Sequence, residues 1–247
     1  MGVKTANHKR ECVAYYRNEA ALYDEKRFFC RCAAIYNEIQ QRIVYGYLKK
    51  CQTVLDAGTG TGRFALYLSR QGIDVIAIDS SKEMLLRAKR KALVDEHGRR
   101  INFIVADIEH LPFDSSVFDG ICSIHVLVHL KNIHRVVEEY ARVLKVDGIL
   151  AVDIPSKILA EPYAFVTQLL GRRTYRDYFR TTKSTQNIFA KYSIRLSEKT
   201  KIVKMPRIIP HILMCRLKMK TVGEFLKYIE TRYNWGSTSI VRAIKVK

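Results

Sequence analysis

A chain of 247 residues is long for one domain and short for two, and 48% of it is apolar, enough for one sizeable core. The formal charge of +19 is uneven: residues 1–150 hold 23 Lys and Arg against 18 acids, residues 151–247 hold 20 against 6. Six scattered cysteines, Cys30 and Cys32 as a lone C-x-C among them, argue against zinc, so no metal is expected; with no leader segment and no sufficiently long apolar run, a soluble cytoplasmic protein is expected.

Residues 8–50 predict two helices, with Tyr15, Tyr16, Leu22, Tyr23, Ile35, Ile39 and Ile43 at three- and four-residue spacing. After Cys51, short apolar runs alternate with amphipathic stretches. TVLDA (53–57) predicts a strand, and GRFALYLSRQG (62–72) a helix ending at Gly72. DVIAIDS (74–80) predicts a second strand, followed by a helix over 81–98 that Ser80 or Ser81 caps and Gly98 stops. INFIVAD (101–107) and VFDGICSIH (117–125) predict strands, IHRVVEEYARVL (133–144) a helix, and GILAVDIP (148–155) a strand halted by Pro155. Such alternation implies right-handed crossovers and a mostly parallel sheet covered on both faces. Residues 156–236 lose the regularity and read as a basic, aromatic, mostly helical cap, and STSIVRAIKV (237–246) closes the chain as a strand. The division expected is helices over 1–50, a core over 51–155, the cap over 156–236 and the final strand within 237–247.

Chemistry concentrates at the predicted strand ends. In a parallel sheet, ligands bind beyond the carboxyl ends of the strands, where helix N-termini present unpaired N–H groups. Gly58-Thr59-Gly60-Thr61-Gly62 occupies such a place. Asp79 ends the second strand, where a carboxylate can accept from both hydroxyls of a ribose, and Asp107 ends the third, beside an adenine. Glycine, acid and acid on three successive strands predict a nucleoside site. The G-x-G-x-G spacing differs from the dinucleotide fingerprint, which argues against a nicotinamide-dependent dehydrogenase, and no Walker lysine follows.

These three stretches together (VLDAGTGTGRFALYLSRQGIDVIAIDSSKEMLLRAKRKA, FIVADIEHLPFDSSVFDGICSIHVLVHL and RVLKVDGILAVDIP) resemble the class I S-adenosylmethionine-dependent methyltransferases, type 11 domains in particular. The resemblance covers residues 51–155. It implies a Rossmann-like α/β sheet of seven strands, mostly parallel with the last reversed. It implies that Gly58, Thr59 and Gly60 line the methionine part of S-adenosyl-L-methionine, with Gly62 also at the cofactor and Asp56 ordering the loop. Asp79, with Ser80 next to it, would hold the ribose, Met84 flank the adenine, and Asp107 with Ile108 address its edge; the product would be S-adenosyl-L-homocysteine. In related enzymes N-terminal helices with a Tyr-Asp pair fold over the cofactor as a lid.

Displacement at a sulfonium carbon needs a base only where the acceptor holds a proton it will not lose unaided. His129 falls where type 11 relatives often carry histidine, and His125 lies beside it; these are the candidate bases. Asp153 and Tyr23 are weaker candidates. The expected acceptor is a small or lipid-like molecule, walled by residues such as Phe165, Leu169, Phe189, Ile208, Ile209, Ile212 and Leu213. Between Gly171 and Lys220, 14 basic residues face only Asp177 and Glu198, so this segment is expected to meet an anionic head group, an anionic membrane surface or, as the alternative, tRNA or other RNA. RRTYRDYFRTTK (172–183) interleaves Arg with aromatics in the manner of a base-stacking surface. The absence of N/D-P-P-Y/F/W after the fourth strand argues against adenine N-methylation in nucleic acid.

Overall fold

Nearly every central strand is apolar on both faces, and that pattern alone forces helices onto both sides of the sheet. A computed structural model describes residues 2–28, 31–155, 157, 176–202 and 238–247, with the side chains of 2–7, 26–28, 31 and 32 excepted. The described elements are α1 (Gly2–Glu19), α2 (Tyr23–Phe28), α3 (Arg31–Leu48), β1 (Thr53–Ala57), α4 (Arg63–Arg70), β2 (Asp74–Asp79), α5 (Lys82–Leu93), β3 (Ile101–Val105), β4 (Phe118–Ser123), α6 (His134–Val143), β5 (Leu144–Pro155), α7 (Thr182–Ala190), β6 (Ile194–Ile202) and β7 (Thr238–Lys245). Strand order is β3-β2-β1-β4-β5-β7-β6. The first five strands are parallel, β7 runs antiparallel to β5, and β6 runs antiparallel to β7.

Two-residue alternation divides the core between the two faces. Val54, Val75, Ala77, Ile149, Ala151 and Ile240 pack with α3 and α4. Leu55, Ala57, Ile78, Leu150, Val152, Val241 and Ala243 face the other way, against α6 and Phe189 of α7. The expected seven-stranded methyltransferase sheet with a reversed last strand is the one observed.

Several expectations are corrected. Residues 194–202, assigned to a helical cap, form the edge strand β6, joined to β7 over its whole length. The N-terminal region holds three helices rather than two. Helix α5 ends at Leu93, five residues before Gly98, because Leu93 and Val94 already point into solvent and the Asp95 carboxylate accepts from His97 N–H to open a turn. Ser81, not Ser80, caps α5, its hydroxyl accepting from Met84 N–H at 3.3 Å. Phe189 is fully buried in the core under α6 instead of walling a pocket. Phe165, Leu169, Ile208, Ile209, Ile212 and Leu213 lie outside the described residues, as do Cys30 and residues 172–175. Among the described residues no helix is long and apolar enough to cross a membrane.

Three strand ends lie side by side on the far half of the sheet. Pro155 at the end of β5 pairs with Thr238 at the start of β7, and Thr238 pairs with Ile202 at the end of β6. All three lie at the carboxyl end of the sheet, where β1, β2 and β4 also finish.

Candidate active site

The turn after β1 is held from below by backbone. Gly58 and Thr59 both donate to Ile78 O at 2.9 Å, which ties the loop to β2. Gly58, Gly60 and Gly62 have φ of 77°, 56° and 80°, in the left-handed region where a Cβ is strained. At Gly58 a Cβ would also overlap the Val126 side chain, and at Gly62 it would sit 2.9 Å from Ala88 Cβ, where α4 meets α5. The position above Gly60, by contrast, is open: a Cβ there would have no neighbour within 4 Å.

Asp56 orders this loop from inside. Its Oδ2 accepts from the Thr59 hydroxyl at 2.6 Å and from Ala65 N–H at 3.1 Å. Burial pushes its carboxyl up to about 6 against these hydrogen bonds. Asp79 accepts from Gly60 N–H and Ser81 N–H, at 2.9 and 2.8 Å. Burial raises its pKa, opposed by those two N–H groups. Asp79 therefore joins the glycine loop to the start of α5.

Asp107 lies two residues beyond β3 rather than on it, in a tight turn: Glu109 N–H donates to its Oδ1 and His110 N–H to its carbonyl. Ile108 is half-buried against the α6 side of the core. Met84 is buried, with 1% of its surface accessible, and Ser80 is exposed. Thus Asp56, Gly58, Thr59, Gly60, Gly62 and Asp79 form one hydrogen-bonded unit, and Asp107 stands at the next strand along.

Helix α1 bridges these parts. Lys9 pairs with both Asp107 and Glu109; burial disfavours its charge, but the two carboxylates outweigh that and raise its pKa. Tyr16, seven residues on and so about 10 Å along the same helix face, brings its hydroxyl to 2.9 Å from His129 Nε2. His8 contacts the His129 carbonyl at 3.1 Å. On α2, Asp24 accepts from the Thr61 hydroxyl at 2.7 Å and from Lys91 at 2.9 Å.

The two histidines have different surroundings. His125 has φ 62°, and its backbone N–H and ring Nδ1 approach the two oxygens of Asp153, at 2.7 and 2.8 Å. Burial opposes ionisation of Asp153, yet the His125 contacts hold its pKa below the ordinary range. His129 lies in a short turn after β4, with Nδ1 at 2.9 Å from Asp177 Oδ1 and Nε2 at the Tyr16 hydroxyl. Asp177 and its neighbours brace that turn. Tyr178 N–H donates to Val128 O at 2.6 Å, and the Arg180 guanidinium donates to the carbonyls of Leu127, Leu130 and Lys131. Sequence reading missed Asp177, Lys9 and the pairing of Tyr16 with His129. The one signal for Asp177 was its sign, an acid within a run of bases. Among the described residues no group of His, Cys, Asp and Glu could hold a metal ion.

Comparison with known proteins agrees with this arrangement. Residues 55–152 match the family "Methyltransferase domain", a span that holds the glycine loop, Asp79, Asp107 and both histidines. That stretch is a methyltransferase domain. Over 121 residues the chain is 31% identical to the malonyl-[acyl-carrier protein] O-methyltransferase of Enterobacter lignolyticus, covering 47% of this chain and 46% of that protein. The chain spans 28–46% of the length of the first curated relatives it matches. Among solved structures, a putative methyltransferase complexed with the Trm112 activator of Haloferax volcanii superposes with a TM-score of 0.67 at 19% identity, covering 94% of this chain and 98% of that one. Geranyl diphosphate C-methyltransferase from Streptomyces coelicolor, solved with S-adenosyl-L-homocysteine, gives 0.62 at 18% identity, covering 85% and 79%. At these identities the structural likeness speaks for the fold.

Proposed function

We propose that this protein is an S-adenosylmethionine-dependent methyltransferase acting on a small or lipid-like acceptor, with His129 as its base. The observation that carries the reading is that one connected site holds both halves of such a reaction. The open position above Gly60, flanked by Asp79 and by Asp107 one strand further, suits a nucleoside cofactor, and α1 links it to His129, Lys9 pairing with Asp107 and Tyr16 with His129. S-adenosylmethionine, when bound, supplies an electrophilic methyl group. The glycine loop would line its methionine part and Asp79 its ribose, while α1 and α2 would close over it through Lys9, Tyr16 and Asp24. Alignment supplies much of the rate, and His129 takes the proton of an acceptor that would not lose it alone.

A small acceptor is favoured over RNA because one base in the charged segment is already used internally: Arg180 donates to three carbonyls of the His129 turn. The O-methyltransferase relative is named for a malonyl group carried on a protein, a small acyl acceptor rather than a nucleic acid. The test is transfer of labelled methyl into a cell extract separated into organic-soluble, small polar, protein and nuclease-sensitive fractions. Label in the organic or small polar fraction is expected. Label lost on nuclease treatment would replace this acceptor class with RNA, and calorimetry showing no binding of S-adenosylhomocysteine would refute the methyltransferase reading.

A further inference from the structure

We infer that Asp177 is a positioning residue that fixes His129 as the base of a three-residue relay ending at the Tyr16 hydroxyl, and that the acceptor is a group that must give up a proton, for which we take a hydroxyl. The inference rests on the methyltransferase reading above and deepens it.

Three side chains from distant parts of the sequence meet in line. The Asp177 carboxylate lies 2.9 Å from His129 Nδ1, and the Tyr16 hydroxyl 2.9 Å from Nε2. Asp177 and His129 are nearly buried, with 5% and 15% of their side-chain surface accessible. A carboxylate only accepts, so Nδ1 must carry the hydrogen. The Nε2 lone pair is then left to accept, and the Tyr16 hydroxyl donates to it. The turn cannot easily shift, because Tyr178 and Arg180, close to Asp177 in the chain, bond the carbonyls around His129. One end of the relay is thus anchored and the other is carried by α1, which also pairs with Asp107 through Lys9.

Such a device is useful only where methylation must remove a proton. A carboxylate or thioether acceptor needs no base. For a hydroxyl, the proton passes to Tyr16 Oη while the Tyr16 proton passes to His129 Nε2. The acceptor oxygen forms its bond to the methyl carbon as the carbon–sulfur bond breaks and its electron pair returns to sulfur. The products are a methyl ether, neutral S-adenosylhomocysteine and a His129 imidazolium held against Asp177. Asp177 touches neither substrate; it sets the tautomer and then faces the charge.

The test joins a spectroscopic and a kinetic measurement on the full chain. Nitrogen NMR of the histidine rings, with S-adenosylhomocysteine bound, is expected to show His129 protonated at Nδ1 in the wild type and at Nε2 in Asp177→Asn, whose amide can donate. Methyl transfer is measured with 4-octylphenol, 1-octanol and octanoate as probes. Label is expected in the two hydroxyl probes, with kcat lowered about a hundredfold or more by Asp177→Asn, KM within threefold, and partial rescue in Asp177→Glu. Tyr16→Phe should lower kcat comparably while S-adenosylhomocysteine still binds. An Nε2 tautomer in the wild type, an unchanged tautomer in Asp177→Asn, an unchanged kcat in Tyr16→Phe, or label confined to octanoate or absent from the hydroxyl probes would each overturn the inference. In all four cases retained S-adenosylhomocysteine binding would leave the methyltransferase reading standing. Loss of that binding in the wild type would end both.

Discussion

Replacing Asp56 by Asn should change stability by an amount that depends on pH, and the size of that dependence follows from the carboxyl's surroundings. Asp56 is buried, and its pKa is pushed up from 3.8 to about 6. A carboxyl whose folded pKa lies above its unfolded one binds more protons when folded. Its favourable contribution is complete below about pH 4 and is lost as pH rises through 6. Taking those two values, the side chain costs about 1 kcal/mol at pH 4.5 and about 3 kcal/mol at pH 7.5, relative to its protonated form. Asparagine does not titrate, so the stability difference between wild type and Asp56→Asn should shift by about 2 kcal/mol across that range, with the wild type relatively better at pH 4.5. Urea unfolding of both proteins at the two pH values, without cofactor, measures this double difference and cancels groups common to both. A difference constant to within about 0.5 kcal/mol would refute the reasoning. It would mean that the Thr59 and Ala65 hydrogen bonds hold Asp56 ionised throughout.

Other consequences are as specific. Asp79→Ala should weaken S-adenosylhomocysteine binding at least about tenfold, since a charged hydrogen bond contributes roughly 1.5–3 kcal/mol; an unchanged calorimetric Kd would show that the ribose lies elsewhere. His125→Ala should destabilise the fold by about 2 kcal/mol at pH 7.5, because it removes the ring from the buried Asp153 Oδ2 and leaves only the backbone N–H on Oδ1. Because Asp153 has a depressed pKa in the fold, the loss should shrink as pH falls below about 4, and equal urea midpoints at neutral pH would contradict it. Lys9→Ala should speed S-adenosylhomocysteine dissociation severalfold in stopped-flow, because the Asp107 and Glu109 contacts hold α1 over the site; an unchanged rate would remove α1 from the role of lid.

The legible parts of the molecule were those where local and global signals coincide. β1 was read to its exact residues because TVLDA is apolar and runs straight into a glycine turn. The loop role of Asp56 was implied by the family resemblance, and its bonds to Thr59 and Ala65, three and nine residues away, are those of a residue that orders the loop. β6 was not legible, because IRLSEKTKI lies at a sheet edge, where only Ile194 and Ile202 are buried and Arg195, Glu198, Lys199 and Lys201 between them carry charge. The relay was hidden for another reason: Tyr16, His129 and Asp177 are brought together only by folding, across separations of 113 and 48 residues. Glycine spacing and hydrophobic period cannot report such a meeting.

The side-by-side placement of Pro155, Thr238 and Ile202 gives the sheet two doorways on its active edge. The chain departs after Pro155, departs again after Ile202, and re-enters at Thr238, the hydrogen-bonded neighbour of both. Whatever joins Ile202 to Thr238 closes a loop whose ends the ladder already holds together. The entropy of such closure grows only logarithmically, about 0.6 kcal/mol for each doubling of length. The insert can therefore lengthen, shrink or be exchanged at little thermodynamic cost to the sheet or to the glycine loop, which follows β1, with β4 and β5 standing between it and β7. In engineering terms the scaffold offers a socket: a different segment could be grafted between Ile202 and Thr238 while the paired strand ends and the glycine loop stay as they are.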